Sequence, residues 1–599
     1  MKKIKQFIKN NFKHLSYFYK HLGYKVFVSF LLSLLVGVLD GFGLTMFFPL
    51  LEMVDGKPTD NSGGLGGLTF LIDGIEALGI SLNIYSVLVI ITVFFLLKGI
   101  MKFFEQFYNV TTRQYFVRKL RYENVNKFAN YKYEAFVLSD NGRIQNTLTG
   151  EVEKVSQAYR NYFMAIQSGV LVFVYIVFAI ITNAQFALLV VIGGGLSNLL
   201  YKQVYIKTKE TSRKITRGGH VFQGLLIQKV AFFKYLKATN QIRKYSQKLR
   251  LAIDDIVKSE IRIGFFNSLL AAAREPIVII VIVAVIMFQV SFFSADMGVI
   301  VLSLLFFYRS LTSLVSMQNY WNQYLNVSGA LENMQSFMLE LSIEQEKHGK
   351  HKVDSLNNSI NLHNVGFSYS NSPVLTNISL KINKNETVAF VGESGSGKTT
   401  LVNLISGLLT PMGGEIYLDD IPYKEIDVST LQNKIGYITQ EPVIFNDTVF
   451  NNITFWAEDT PENKERFWKA LNSASIDTFV KNLHKREDSS LGHSGVLVSG
   501  GQKQRLSIAR ELYKNDIEIL IMDEATSALD SENEFIIQQN LALLKGRYTI
   551  LVVAHRLSTI KDADKIVLVD KGAVVEVGTF NELIKSSPRF REMALLQEV

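Results

Sequence analysis

A chain of 599 residues is too long for one hydrophobic core, so two or more domains are expected. Hydrophobic residues make up 48% and charged residues still 20%, a mixture that fits a membrane half joined to a water-soluble half. The absence of cysteine excludes disulfides and thiolate metal sites and fits a reducing cytosol, while the net charge of +9 is concentrated at the start of the chain.

The opening stretch MKKIKQFIKNNFKHLSYFYKHLGYK carries seven lysines and no acid, with aromatic and aliphatic residues interleaved at near-helical spacing. Residues 1–24 therefore read as an amphipathic cytosolic helix lying on an anionic leaflet. The rival reading, a nucleic-acid arm, is disfavoured because an apolar segment follows at once. That run is too long for a signal peptide and lacks a small-residue cleavage site.

Six stretches are long enough to span a bilayer, which needs about 20 residues each. They fall near 25–51, 85–107, 160–182, 184–203, 264–290 and 297–319. Two connections are short, at TNAQ and SFFSAD, and the connections 108–159 and 204–263 are long, basic and helical in pattern. The outer segment 52–84 carries Glu52, Asp55, Asp60, Asp73 and Glu76 against Lys57 alone. Positive-inside bias therefore places both termini and both long connections in the cytosol. Within 52–84, LTFLIDGIEALGI reads as a short amphipathic helix, set on the outer membrane surface, against a lipid tail or against a dimer mate. The expected organisation is a transmembrane domain over 25–325, a linker over 326–354 and a soluble domain over 355–599.

Three cations fall in one layer of the membrane half. At about 1.5 Å per residue, Lys98, Arg274 and Arg309 all lie roughly 20 Å below the outer end of their spans. Ionisable residues inside a span are costly and usually functional. Two readings stay open: a cavity lined to receive an anionic headgroup, or plain pairing with Asp40 and Glu275 at similar depth. Pro276 should kink its span.

The soluble half carries VGESGSGKTT at 391–400, preceded by a strand-like ETVAF and followed by a helix-like LVNLISGLL. Strand, glycine loop and helix make a phosphate cradle, because glycines let backbone N–H groups face phosphate oxygens. Lys398 would reach the β- and γ-phosphates, and Thr399 would hold Mg²⁺. EILIMDE ends in Asp523, suited to Mg²⁺, and Glu524, placed to polarise an attacking water. VSGGQKQR sets Ser499, Gly500, Gly501 and Gln502 at a helix start; Gln440, Tyr369 and His555 complete the candidate set.

This order of motifs resembles an exporter-type half-transporter of the ABC family over nearly the whole chain. The resemblance implies an all-α six-helix transmembrane domain of the type I/type IV exporter fold, forming a domain-swapped dimer, followed by an α/β P-loop nucleotide-binding domain. By the same resemblance, Tyr369 stacks on adenine, and Gly392, Glu393, Ser394, Gly395, Ser396, Gly397, Lys398, Thr399 and Thr400 form Walker A. Gln440 is the Q-loop residue that senses Mg²⁺, Ser499 to Gln502 the signature, and Asp523 the Walker B aspartate. Glu524 is the catalytic glutamate, Asp530 belongs to the D-loop, and His555 is the switch histidine. Two departures stand out: Val498 replaces leucine, and SSLGHSG (489–495) lacks the usual charges, with Ser490 and Ser494 in their places.

By the same resemblance each ATP lies between the Walker A of one domain and the signature of another, so one of each per chain implies a homodimer hydrolysing ATP at both sites. The long outer segment and the buried cations are similar to the bacterial lipid-linked oligosaccharide flippases. The implied function is therefore ATP-driven flipping, in a bacterial inner membrane, of an amphipathic anionic substrate such as a polyisoprenyl-pyrophosphate oligosaccharide. Export of a peptide, drug or ordinary lipid is the alternative, and nucleic acid is not an expected partner.

Overall fold

In a computed structural model of the chain, residues 15–54, 69–182, 184–292, 297–369, 372–492, 495–523, 539, 544–554 and 560–598 are described. They divide into two compact units, one built from residues 1–131 and 138–345, the other from 132–137 and 346–599.

The first unit is helical. A short helix α1 (15–22) leads into α2 (Lys25–Thr45), α3 (Phe47–Val54), α4 (Thr69–Ala77) and α5 (Ile84–Ala129). Beyond α6 (Tyr133–Leu138), nearly all of which belongs to the second unit, come α7 (Asn141–Leu148), α8 (Gly150–Thr182), α9 (Ala184–Ala231), α10 (Phe233–Ala238), α11 (Ile242–Phe292) and α12 (Met297–Ile343). Asn83 and Ser86 start α5 with a reciprocal capping box, each side chain accepting the other's backbone N–H at 2.8 Å. Asp140 starts α7 by accepting from Gly142 N and Arg143 N. The 46 residues of α5 reach about 70 Å, over twice the roughly 30 Å hydrocarbon core. Helix α5 thus continues well beyond what a bilayer core needs, through the polar residues after 107.

Among the described residues, four helical stretches are long and apolar enough to cross a membrane: Lys25–Met53, Ile84–Ala129, Gly150–Thr182 and Val301–Ile343. The spans expected at 184–203 and 264–290 fall on α9 and α11, where many side chains lie outside the described residues. Helix α11 passes through Pro276 without a break in its helical run.

Two expectations need adjusting. The lysine-rich N-terminal segment does not, from residue 15, lay its apolar face on lipid. Phe18 is fully buried in an aromatic core with Phe116, Tyr159, Tyr162 and Phe163, with Tyr19 and Lys20 left outside. Burying a whole phenylalanine against protein is worth about 1.5–3 kcal/mol, which competes well with interfacial adsorption. Helix α4 packs on its own chain through Leu71 and Ile75, which join Met46, Val87 and Ile91, while Phe70 meets Phe42 edge-on and stays half-exposed. The second adjustment concerns the region expected as a linker over 326–354, which is helical as far as Ile343, because apolar residues such as Leu331, Met334, Phe337 and Leu341 stay fully buried along it.

The second unit is α/β. A four-stranded antiparallel sheet has the order β2-β1-β4-β5, using β1 (Ser359–Tyr369), β2 (Ser372–Asn383), β4 (Gly413–Leu418) and β5 (Ile421–Pro422). A six-stranded sheet runs β10-β9-β3-β8-β7-β6. Its strands are β3 (Thr387–Val391), β6 (Ile435–Ile438), β7 (Ile519–Asp523), β8 (Thr549–Val553), β9 (Lys565–Asp570) and β10 (Ala573–Gly578). Central strands β3, β7 and β8 pair in parallel and read as unbroken apolar runs, as strands covered on both faces should. Helix α13 (Lys398–Ile405) contributes Leu401, Val402, Leu404 and Ile405 to the core between the sheets. A second core gathers Phe450, Phe467, Leu471 and Leu506.

Candidate nucleotide site

The phosphate cradle forms where β3 ends and α13 begins. Gly392 opens it with φ 155°, and a Cβ there would meet the Val569 carbonyl oxygen at 2.0 Å. Gly397 closes it in the left-handed region at φ 105°, with Leu375 2.7 Å from where a Cβ would sit. Neither position accepts a side chain, so the sequence spacing of these glycines is a steric requirement. Gly395 also has positive φ.

Lys398 is buried and turns back over the loop, its Nζ donating to the carbonyls of Gly392 (2.9 Å) and Glu393 (2.8 Å). Those two bonds hold the ammonium above the cradle, where a phosphate would meet it. Ser396 is buried with a hydroxyl that finds no hydrogen-bond partner among the described residues, a polar group that a phosphate oxygen would satisfy. Glu393 turns away, accepting from Arg589 Nη2 at 3.1 Å, and Arg589 also pairs with Asp570. Ser394 is exposed beside it.

Thr399 Oγ1 lies 3.3 Å from Asp523 Oδ1, its acceptor. A hydroxyl and a carboxylate side by side are the oxygen donors Mg²⁺ takes, so the residues present fit that ion. Tyr369, at the end of β1, is half-buried with its phenol in hydrogen-bonding reach of Thr400, and burial raises its pKa. The structure thus brings the candidate adenine-stacking ring to Walker A. Gln440 follows β6 and is exposed. Strands β7 and β8 end side by side, with Asp523 opposite Val553. Glu524, Asp530 and His555 follow those strand ends in sequence and lie outside the described residues.

Ser499 caps the helix Gly500–Tyr513 in a capping box with Gln502: Gln502 N donates to Ser499 Oγ at 3.3 Å, and Ser499 N to Gln502 Oε1 at 2.9 Å. Ser499 and Gly500 are exposed, and Gly501 is half-exposed. The N-terminus of this helix, with its partial positive charge, therefore faces solvent. Val498 keeps the apolar role of leucine by packing on the second core. Ser490 lies in a bridge with Thr448; Ser494 is outside the described residues.

Two neighbours escaped the motif reading. Lys132–Val137 belongs to the second unit, and Tyr133 packs against its inter-sheet core. Tyr133 and Glu134 both act electrostatically on Tyr369. Tyr437, whose phenol donates to Asn403 Oδ1 at 3.0 Å, is near enough to Asp523 to feel its charge; burial is the main cause of its raised pKa. The available signals were the break after Asn130 and the Asp140–Asn141 cap, which bracket the short α6 within a long helical stretch.

In the helical unit, the cation layer separates. Lys98 donates to Asp40 Oδ1 at 2.5 Å, and Asp40 also accepts from the Tyr175 hydroxyl. Lys102 pairs with Glu105, which accepts from Ser33 at 2.6 Å. Arg309 is half-buried and close enough to Tyr175 to act on it electrostatically, and has no carboxylate partner among the described residues. The Arg274 and Glu275 side chains lie outside the described residues.

A P-loop nucleotide domain and a helical membrane unit in one chain define an ATP-driven transporter. The chain belongs to the ABC transporters: residues 375–527 match the family described as ABC transporter, and residues 26–318 match the ABC transporter transmembrane region. It is an ATP-hydrolysing transport enzyme of the membrane. A relative called ATP-dependent lipid A-core flippase, from Hahella chejuensis, is 45% identical over 269 residues, which are 44% of this chain and 45% of that protein. In that alignment the chain spans less than half of the relative's length. The protein of the same name from Francisella tularensis subsp. holarctica is 29% identical over 82% of this chain and 81% of its own length. The heterocyst differentiation ATP-binding protein HepA of Nostoc is 27% identical over 84% of this chain and 82% of its own. A solved bacterial Atm1-family ABC exporter with ATP bound superposes with a TM-score of 0.78 at 21% identity, covering 96% of this chain and all of that one. That likeness shows the fold: a helical transmembrane domain of exporter type followed by an α/β nucleotide-binding domain.

Proposed function

We propose that the chain is one protomer of a homodimeric flippase that moves an anionic, lipid-linked saccharide across a bacterial inner membrane, with both termini cytoplasmic. The observation that carries the substrate class is Arg309, a membrane-embedded guanidinium with no carboxylate partner among the described residues. Such a charge inside a span is expensive unless something anionic meets it, and a phosphate or pyrophosphate headgroup is suited to a guanidinium fork. Two relatives named as lipid A-core flippases support a lipid-type cargo. Within that class a polyisoprenyl-pyrophosphate oligosaccharide remains the first candidate. Export of a peptide or drug is the second reading.

The homodimer reading rests on Ser499, which faces solvent at a helix N-terminus and needs a phosphate from elsewhere to act on. The tip of the α9–α11 arm adds to it, since Phe232, Phe233 and Tyr235 are 60%, 52% and 66% exposed there, an apolar end that a second copy would cover. When bound, Mg²⁺ would sit between Thr399 and Asp523 and offset charge on the phosphates. Lys398 would hold the phosphates, Ser396 would donate to them, and Tyr369 would orient the base. Glu524 would take the proton of the attacking water.

The test is reconstitution in proteoliposomes. ATPase stimulation and ATP-dependent movement are expected with lipid-linked oligosaccharide or lipid A-core, and not with peptides. Stimulation by peptides alone would overturn the lipid reading.

A further inference from the structure

On the outer surface of the helical unit, α2 and α5 enclose a groove of about 320 Å³ lined by Leu32, Met101, Phe104, Phe107, Tyr108 and Thr111. Its walls are almost wholly apolar, and Phe104 and Phe107 stand 52% and 62% exposed. Met101, Phe104, Tyr108 and Thr111 recur at three- and four-residue spacing, so they form one stripe of α5. The same stripe continues toward the cytosolic extension through Tyr115 and Arg118.

The foot of that stripe is cationic. Lys25, the first residue of α2, places its ammonium 3.5 Å from the centroid of the Tyr115 ring. The Arg118 guanidinium approaches the same ring at 5.7 Å. Tyr108 donates to the Lys25 carbonyl at 3.3 Å, which ties the apolar groove to this basic end. Neither Lys25 nor Arg118 has a carboxylate partner among the described residues. The nearest acid along α5, Glu123, lies five residues beyond Arg118 and is paired with His21 at 3.4 Å, while Glu105, ten residues before Tyr115, is buried and engaged by Lys102 and Ser33.

An apolar channel about 15 Å long, from Met101 to Thr111 at 1.5 Å per residue, with two unpaired cations at its cytosolic end, has the pattern of one amphiphile. We propose that this groove binds a single anionic phospholipid of the inner leaflet, its acyl chain between α2 and α5 and its phosphate at Lys25 and Arg118. A cation already resting on an aromatic face stays partly desolvated, so it gains more from an anionic headgroup than a free surface lysine does. A zwitterionic headgroup would bring its own ammonium to the same two cations and lose most of that gain. The site is separate from the Arg309 region and from the nucleotide cradle, so it would hold a resident lipid and not the transported one.

The experiment uses the full-length transporter in nanodiscs of phosphatidylcholine containing a few percent of a photoactivatable probe. One probe is phosphatidylglycerol with a diazirine on its acyl chain, and the other is phosphatidylcholine with the same chain. Peptide mapping should find the phosphatidylglycerol label on Met101–Thr111, at least five-fold above the phosphatidylcholine label. Lys25→Gln with Arg118→Gln should remove that excess and leave the phosphatidylcholine label unchanged. If the double variant does not assemble, the wild-type protein still decides: excess unlabelled phosphatidylglycerol should compete the label away, and excess phosphatidylcholine should not. Equal labelling by the two probes, or competition by both lipids alike, overturns the proposal. No label in this stretch from either probe overturns it as well, since protein, such as a second copy, would then cover the groove.

Discussion

Lys98 and Asp40 form an ion pair 2.5 Å long inside the membrane half, with Asp40 almost wholly buried between α2, α5 and α8. The Tyr175 hydroxyl completes the carboxylate's shell. One of the three cations that share a depth in the sequence is therefore matched within its own chain. Breaking a buried pair by removing one partner typically costs about 3–5 kcal/mol, because the other charge is left without compensation. Lys98→Met and Asp40→Asn should each lower folded yield and thermal midpoint in detergent, and the double variant should recover most of the loss. If Lys98→Met folded normally while transport failed, Lys98 would return to the list of substrate contacts.

Lys398 and Ser499 are both candidate phosphate contacts, yet their surroundings differ. Lys398 is buried over the cradle, and Ser499 is exposed at a helix start. Lys398→Ala should weaken ATP binding by the protomer itself, read as a large rise in the dissociation constant of a fluorescent ATP analogue. Ser499→Ala should leave that first binding nearly intact and reduce turnover if, as proposed, its phosphate contact forms when two copies close. Identical pure binding defects in both variants would overturn the shared-site arrangement.

Glu524 follows Asp523, whose carboxylate accepts from Thr399. Glu524→Gln should keep ATP affinity, lose hydrolysis by two or more orders of magnitude, and accumulate a closed state, read as ATP retained by the protein through size exclusion. Near-normal hydrolysis by the purified variant would take Glu524 out of the general-base role.

The phosphate cradle was readable from sequence because steric rules fix its spacing: Gly392 and Gly397 are forced by the Val569 carbonyl and the Leu375 side chain. The order of helices was readable for a similar reason, since only long apolar runs can cross lipid. What escaped was context carried by contacts distant in sequence. Phe18 looks like an interfacial residue until Phe116 and Tyr159 are seen beside it. Tyr133 looks like one more residue of a long helical connection until α6 is found with the second unit. Depth along a span can be counted from sequence, but whether Lys98 faces Asp40 or a cavity depends on helix rotation, which packing alone decides.

Tyr369 lies beside Thr400, half-buried, with its ring edge-on to Phe367 at 4.9 Å. Stacking of a base on an aromatic ring is worth about 1–3 kcal/mol, or roughly five- to 150-fold in affinity. Tyr369→Ala should raise the KM for ATP within that range, and Tyr369→Phe should raise it little, since the ring face is kept. Equal effects from the two substitutions would shift the role from stacking to the phenol and its contact with Thr400.

Arg309 gives the last and most discriminating prediction. It sits on α12, half-buried, near Tyr175 and without a carboxylate partner among the described residues. Were it a structural charge held by a carboxylate, its removal would strand that partner and Arg309→Met would fold less well than the parent, whereas removing an unpaired guanidinium relieves a desolvation cost. If it receives an anionic headgroup, the same substitution should abolish substrate-stimulated ATPase and lipid movement by ten-fold or more. Basal ATPase should survive, because the nucleotide side chains belong to the other unit of the chain. Arg309→Lys should restore only part of the transport, since an ammonium keeps the charge but lacks the planar fork that grips a phosphate with two parallel hydrogen bonds. Wild-type transport by folded Arg309→Met would sink the anionic-cargo reading, and export of a neutral lipid or a peptide would then take precedence.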